Sequence, residues 1–135
     1  MNNIASFAAD YSEAREKFLA AARLADAATF RYDNPTKGPK GEALSTDVAW
    51  VGPSDASKVM VTISSTHGVE GYCGSGFQVD WLAGVGASGL PKGTAALFVH
   101  AINPYGFAWT RRVTEEGNDL NRNYVDHSKP YPANE

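Results

Sequence analysis

The sequence predicts an α/β fold from three features: a helix-forming run near its start, and two β-branched apolar runs separated by a helical stretch long enough for a parallel crossover. The first feature runs from Asp10 to Ala28 and is rich in Ala, Leu, Glu and Arg. Tyr11, Phe18, Ala22 and Ala25 fall on one face, with Asp10 or Ser12 placed to cap the start. Thr29 to Tyr32 reads as a short strand. The turn formers from Asp33 to Gly41 read as a loop, and Leu44 to Val51 reads as a strand closed by Gly52-Pro53-Ser54-Asp55. Lys58 to Ser64 is an apolar run of the kind found in a strand buried on both faces. A helix is expected from about Glu70 to Leu82, with three glycines near its start and Gly84 and Gly86 marking its end. A second buried strand is expected at Ala95 to Ala101. After Asn103 the prolines and glycines predict a long loop region at the carboxyl end of that strand, where open α/β sheets bind ligands.

Composition narrows the function classes. The 135 residues are 43% hydrophobic and 20% charged with a formal net charge of −3, which fits one globular unit. Lys and Arg are scattered apart from Arg111-Arg112, so no basic footprint for nucleic acid is present. No apolar run approaches the ~18 residues of a membrane span. The start of the chain lacks signal-peptide character, and the one cysteine, Cys73, has no partner within the chain. Both favour the cytoplasm. Oligomeric state is not legible from these features.

Thr66-His67-Gly68-Val69-Glu70 joins the first buried strand to the following helix, with an imidazole and a carboxylate three residues apart. Zinc favours this mix of N and O donors, and a catalytic zinc takes three protein ligands and one open position. On spacing alone, a helix start explains the pair as well: His67 would cap the helix, and Glu70 would complement its dipole. Downstream lie Asn103-Pro104-Tyr105-Gly106, then Arg111-Arg112, then Asp119-Leu120-Asn121-Arg122-Asn123-Tyr124. A guanidinium beside an amide suits an anionic group, although Arg122 paired with Asp119, Glu115 or Glu116 in a structural loop is the competing reading.

The order H-x-x-E, N-P-x-G, arginine, D-L-N-R-N plus an aromatic resembles the zinc carboxypeptidases of the carboxypeptidase A type. It is similar also to their relatives, the succinylglutamate desuccinylases and aspartoacylases, and to an uncharacterised bacterial branch. The resemblance covers roughly residues 58 to 135. It implies a three-layer αβα fold with a mainly parallel or mixed sheet, of which this chain is the N-terminal portion. It further implies Zn2+ held by His67 and Glu70, and a substrate carboxylate held by Asn121 and Arg122. Arg112, or Arg111 one residue earlier, would stabilise the oxyanion, and Asp119 would accept from His67 in the manner of a carboxylate behind a zinc ligand. The implied reaction is hydrolysis of an amide next to a free carboxylate, in a peptide C-terminus or an N-acyl amino acid.

The family's third zinc ligand and its general-base glutamate lie beyond the D-L-N-R segment, and neither is found here. His100 reads as a core histidine and His127 as a solvated loop residue. The chain alone is therefore expected to bind zinc weakly and to lack competent catalysis. Two rival classes stay open: a carboxylate-binding module without a metal, and a thiol hydrolase built on Cys73, six residues from His67. Free cysteines are more often small buried hydrophobes. Gly84-Val85-Gly86-Ala87-Ser88-Gly89 spells G-x-G-x-x-G, but it follows a helix rather than a strand and reads as a helix stop.

Overall fold

Helix α1, Tyr11–Leu24, starts where the sequence places a cap: the Asp10 side chain accepts from the Glu13 amide at 2.9 Å. Glu13 in turn accepts from the Ala9 amide at 2.7 Å. The helix buries Tyr11, Ala14, Phe18, Ala21 and Ala22, an i, i+3, i+4 stripe. It stops short of Ala28 because Ala28 is already paired with Trp50 in the sheet. The structure, a computed structural model, describes residues 3–126 and 128–130.

Four strands follow: β1 Ala28–Lys37, β2 Ala43–Val51, β3 Lys58–Ile63 and β4 Thr94–His100, in the order β1-β2-β4-β3. β1 and β4 flank β2 antiparallel, and β3 joins β4 in parallel through helix α2, Gly71–Gly84. The class is α/β with a mixed sheet. Helix α3, Pro104–Ala108, interrupts the region expected to be loop. The segment from Asp33 to Lys37, also expected to be loop, belongs to β1: it pairs with β2 through an irregularity between Asp33 and Lys37. Pro35 sits inside that irregularity, where a strand tolerates a residue with no amide donor. Asn34 fastens the kink by accepting from the amide and hydroxyl of Thr36.

Helices α1 and α2 cover one face of the sheet. Phe18, Ala21 and Ala22 from α1 and Val79 and Leu82 from α2 pack against Ala49, Val51, Ala96 and Phe98. A second cluster under α3 joins Tyr11, Ala14, Leu44, Ala101 and Phe107. Between the clusters His100 is fully buried, stacked on Phe18 at 4.4 Å with its Nε2 within 2.9 Å of Ser75 Oγ. It is the core histidine the sequence suggests.

Of the three layers expected, the described residues form the sheet and one helical layer. The other face is apolar and open: Phe30 is 54%, Tyr32 63%, Val61 53% and Ile63 52% exposed. Strand β3 is thus not buried on both faces as its composition predicts. Its apolar run is that of an interior strand, whereas here it forms a sheet edge with helices on one side only. No helix among the described residues is long and apolar enough to cross a membrane.

Candidate functional site

At the carboxyl ends of the parallel pair, β3 runs into Ser64–His67 and β4 into Ala101–Asn103. The two exits are tied together: the Ile102 amide donates to the Ser64 carbonyl at 3.1 Å, and the Ser65 hydroxyl donates to the carbonyls of Gly68 and Asn103. Ser65, Ala101 and Thr110 all have positive φ, at 63°, 58° and 54°. Left-handed non-glycine residues cost of order 1–3 kcal/mol each and collect at functional sites. Here they turn the chain just before His67, just after β4 and just before Arg111.

The N-P-x-G motif has a structural meaning. Asn103 caps α3 by accepting from the Gly106 amide at 2.8 Å, and Pro104 occupies the first turn. Gly106 then accepts from the Arg111 amide at 2.7 Å. The following segment returns along the His67 turn, where the Gly68 amide donates to the Arg112 carbonyl and the Val69 amide to the Arg111 carbonyl, at 3.3 and 3.1 Å. Gly68 is the position sequence reasoning missed. A Cβ there would overlap the backbone of Gly106 and the Arg111 carbonyl, so only glycine lets the two segments meet.

On this scaffold four side chains converge. His67 Nδ1 lies 3.1 Å from Glu70 Oε1, and His67 Nε2 lies 3.0 Å from Asp119 Oδ1. The other oxygen of Asp119 accepts from Arg112 Nε at 2.8 Å, and its Oδ1 also accepts from the Asn121 amide at 2.9 Å. Above all the Arg112 guanidinium, and then the Asn121 amide and His67, hold the Asp119 carboxyl down at about 2. A carboxylate so placed stays ionised and acceptor-only at neutral pH.

His67 is nearly buried and is the residue preceding a 3-10 turn, Gly68–Glu70, yet its side chain makes no capping bond. Glu70 precedes α2 and caps nothing either. The capping role expected of His67 on the helix-start reading is therefore not taken up, whereas Glu70 does stand at the start of α2, where its charge complements the helix dipole. Among the described residues Arg122 forms no ion pair with the three acids considered: Asp119 is paired with Arg112, Glu115 accepts from Asn34 and Glu116 from Asn118, while Arg122 Nη1 donates to the Asn121 carbonyl. Of the two candidate arginines, Arg112 reaches Asp119, whereas the Arg111 side chain has no hydrogen bond among the described residues. Arg122 is local to its own turn, and His127 lies outside the described residues.

A neutral imidazole has one N–H and cannot donate to carboxylates at both nitrogens. In the tautomer that carries Nε2–H toward Asp119, the Nδ1 lone pair is on the side of Glu70 Oε1, and Nδ1 with Glu70 suits a zinc ion in donor type. Among the described residues no group of three or more His, Cys, Asp or Glu could hold a metal. Two protein donors are what they offer. Cys73, expected to be a small buried hydrophobe, is exposed on α2 instead. Both His67 nitrogens face carboxylates, which leaves neither to activate the thiol.

No curated protein matches the sequence. Among solved structures the chain is similar to the glutaminyl cyclase of Fimbriiglobus ruber, with 12% identity, a TM-score of 0.45, and 63% of this chain and 35% of that one covered. It is similar also to the Porphyromonas gingivalis glutaminyl cyclase, at 15% identity and a TM-score of 0.47 over 70% of this chain and 42% of that one. A second structure of the Porphyromonas gingivalis enzyme gives 16% identity and a TM-score of 0.45 over 77% and 50%. The chain spans half or less of the length of these enzymes, and likeness at this level carries no reading of activity. Residues 7–135, nearly the whole chain, match the family described as "Protein of unknown function (DUF2817)", and the chain belongs to that family.

Proposed function

We propose that this chain carries part of the active site of a zinc-dependent hydrolase resembling the metallocarboxypeptidases, acting on an amide bond next to a free carboxylate. The supporting observation is the single carboxylate of Asp119, which lies 3.0 Å from His67 Nε2 through one oxygen and accepts from Arg112 Nε through the other. One group thereby holds both a metal-type imidazole and a guanidinium. His67 and Glu70 are the proposed metal ligands. Zinc, when bound, supplies Lewis-acid polarisation and acidifies water. Arg112 commits its Nε to Asp119, and its terminal nitrogens, which have no partner among the described residues, are the proposed donors to a developing oxyanion. Asn121 and Arg122, with Arg111 nearby in sequence, are the proposed contacts to the carboxylate of a peptide or N-acyl amino acid. The cytoplasm is the proposed compartment.

A second reading rests on the count of two metal donors among the described residues: a carboxylate-binding module that needs no metal. Titrating the chain with N-acetylated amino acids, with zinc and with chelator, separates the two. Binding is expected, and Arg122→Ala is expected to weaken it roughly 10- to 100-fold, the value of charge-assisted hydrogen bonds. Strengthening by zinc supports the hydrolase reading. Indifference to zinc and chelator favours the module, and binding unchanged by Arg122→Ala and Asn121→Ala contradicts both.

A further inference from the structure

Taking Asn121 and Arg122 as the carboxylate contacts proposed above, we propose that Tyr124 is a positioning residue that fixes the Asn121 carboxamide with its NH2 group presented to the ligand. Asn121 has four polar groups, and three are engaged. Its backbone amide donates to Asp119 Oδ1 at 2.9 Å, its carbonyl accepts from Arg122 Nη1 at 2.7 Å, and its Oδ1 accepts from the Tyr124 hydroxyl at 2.8 Å. Nδ2, a double donor, has no partner among the described residues.

The backbone brings these groups together. The amides of Arg122 and Asn123 both donate to the Asp119 carbonyl at 3.0 Å, closing one tight turn. Within that turn Asn121 and Tyr124 fall on the same side. An isolated carboxamide exchanges its oxygen and nitrogen by a half-turn with almost no change of shape, and would then offer an acceptor that repels a carboxylate. A phenolic O–H is a stronger donor than it is an acceptor, so its bond to Oδ1 selects the state with Nδ2 outward. The outward NH2 group thereby favours an acceptor such as a carboxylate over a primary amide, which must also donate. Ordering the amide before the ligand arrives removes part of the cost of binding.

Tyr124 is 79% exposed, so its ring contributes little burial and Tyr124→Phe leaves the fold intact. The test uses the full chain, N-acetylglycine and its primary amide as probes, and NMR titration. Tyr124→Phe is expected to weaken N-acetylglycine binding roughly three- to tenfold, the range of one neutral hydrogen bond. It is expected to leave the amide probe unchanged, lowering the selectivity by the same factor, and to shift the Asn121 side-chain NH2 signals. On an Asn121→Ala background it is expected to add nothing. Wild-type affinity and selectivity in Tyr124→Phe, or full additivity with Asn121→Ala, overturns the inference while Asn121→Ala and Arg122→Ala still weaken binding. If those two also leave binding unchanged, the carboxylate reading falls and takes the inference with it.

Discussion

Gly68→Ala is expected to destabilise the protein by about 2–3 kcal/mol, the upper range for overpacking at a site that cannot yield. The atoms that a Cβ would meet belong to the backbone of Gly106 and the carbonyl of Arg111, not to the flexible end of a side chain. Relief requires the Arg111-Arg112 segment to move away, which breaks the bonds from the Gly68 and Val69 amides to the Arg112 and Arg111 carbonyls. Arg112 then also leaves Asp119. Urea denaturation of the variant beside Val69→Ala, an exposed neighbour expected to change stability by no more than about 0.5 kcal/mol, checks this. Equal stability of the two variants would contradict the tight approach.

Acidification is expected to remove on the order of 3 kcal/mol of stability between neutral pH and about pH 4, through His100. Burial is the main reason its pKa falls from 6.5 to about 4; Asp47 raises it and Arg15 lowers it. The folded-state value is depressed, so the unfolded chain takes up a proton that the folded chain refuses. The stability is present in full above pH 6.5 and is lost as the pH falls through about 4. Arg15 from α1, Asp47 from β2 and Ser75 from α2 are the polar groups involved around the ring. Arg15 and Asp47 are paired with each other at 2.6 Å, which leaves Asp47 poorly placed to stabilise an imidazolium. Denaturation at pH 7, 5.5 and 4.5 should show the decline, and His100→Leu should flatten it while costing stability at pH 7. Asp119 acts in a separate window: its depressed pKa loses its contribution between 3.8 and about 2. A wild-type profile flat from pH 7 to 4.5 would contradict the assignment to His100.

Much of the fold is legible because local chemistry and tertiary packing agree. The Asp10 cap, the α1 stripe and the strand, helix, strand unit from Lys58 to His100 each follow from residue type and period. Misreadings arise where the deciding partner is distant. Asn34-Pro35 carries turn chemistry, yet β2 draws the segment into a kinked strand. Cys73 is a small apolar residue on the solvent side of a helix whose glycines face inward: Gly71 lies against Phe107 and Gly74 against Ser64. At the site, the motifs name the side chains, and the contact from Asp119 to His67 follows from what imidazoles behind a metal require. The bond from Asp119 to Arg112 and the need for glycine at position 68 come from the backbone path and have no local signal.

On the proposed reading, His67 and Glu70 are the two metal ligands among the described residues. A zinc titration followed through the His67 side-chain NMR signals tests it most directly. The expected result is binding weaker than roughly micromolar, perturbing His67 first and abolished by His67→Ala and by Glu70→Ala, as two ligands without a completed set would give. Micromolar or tighter binding, or weak binding that survives both substitutions, would contradict it.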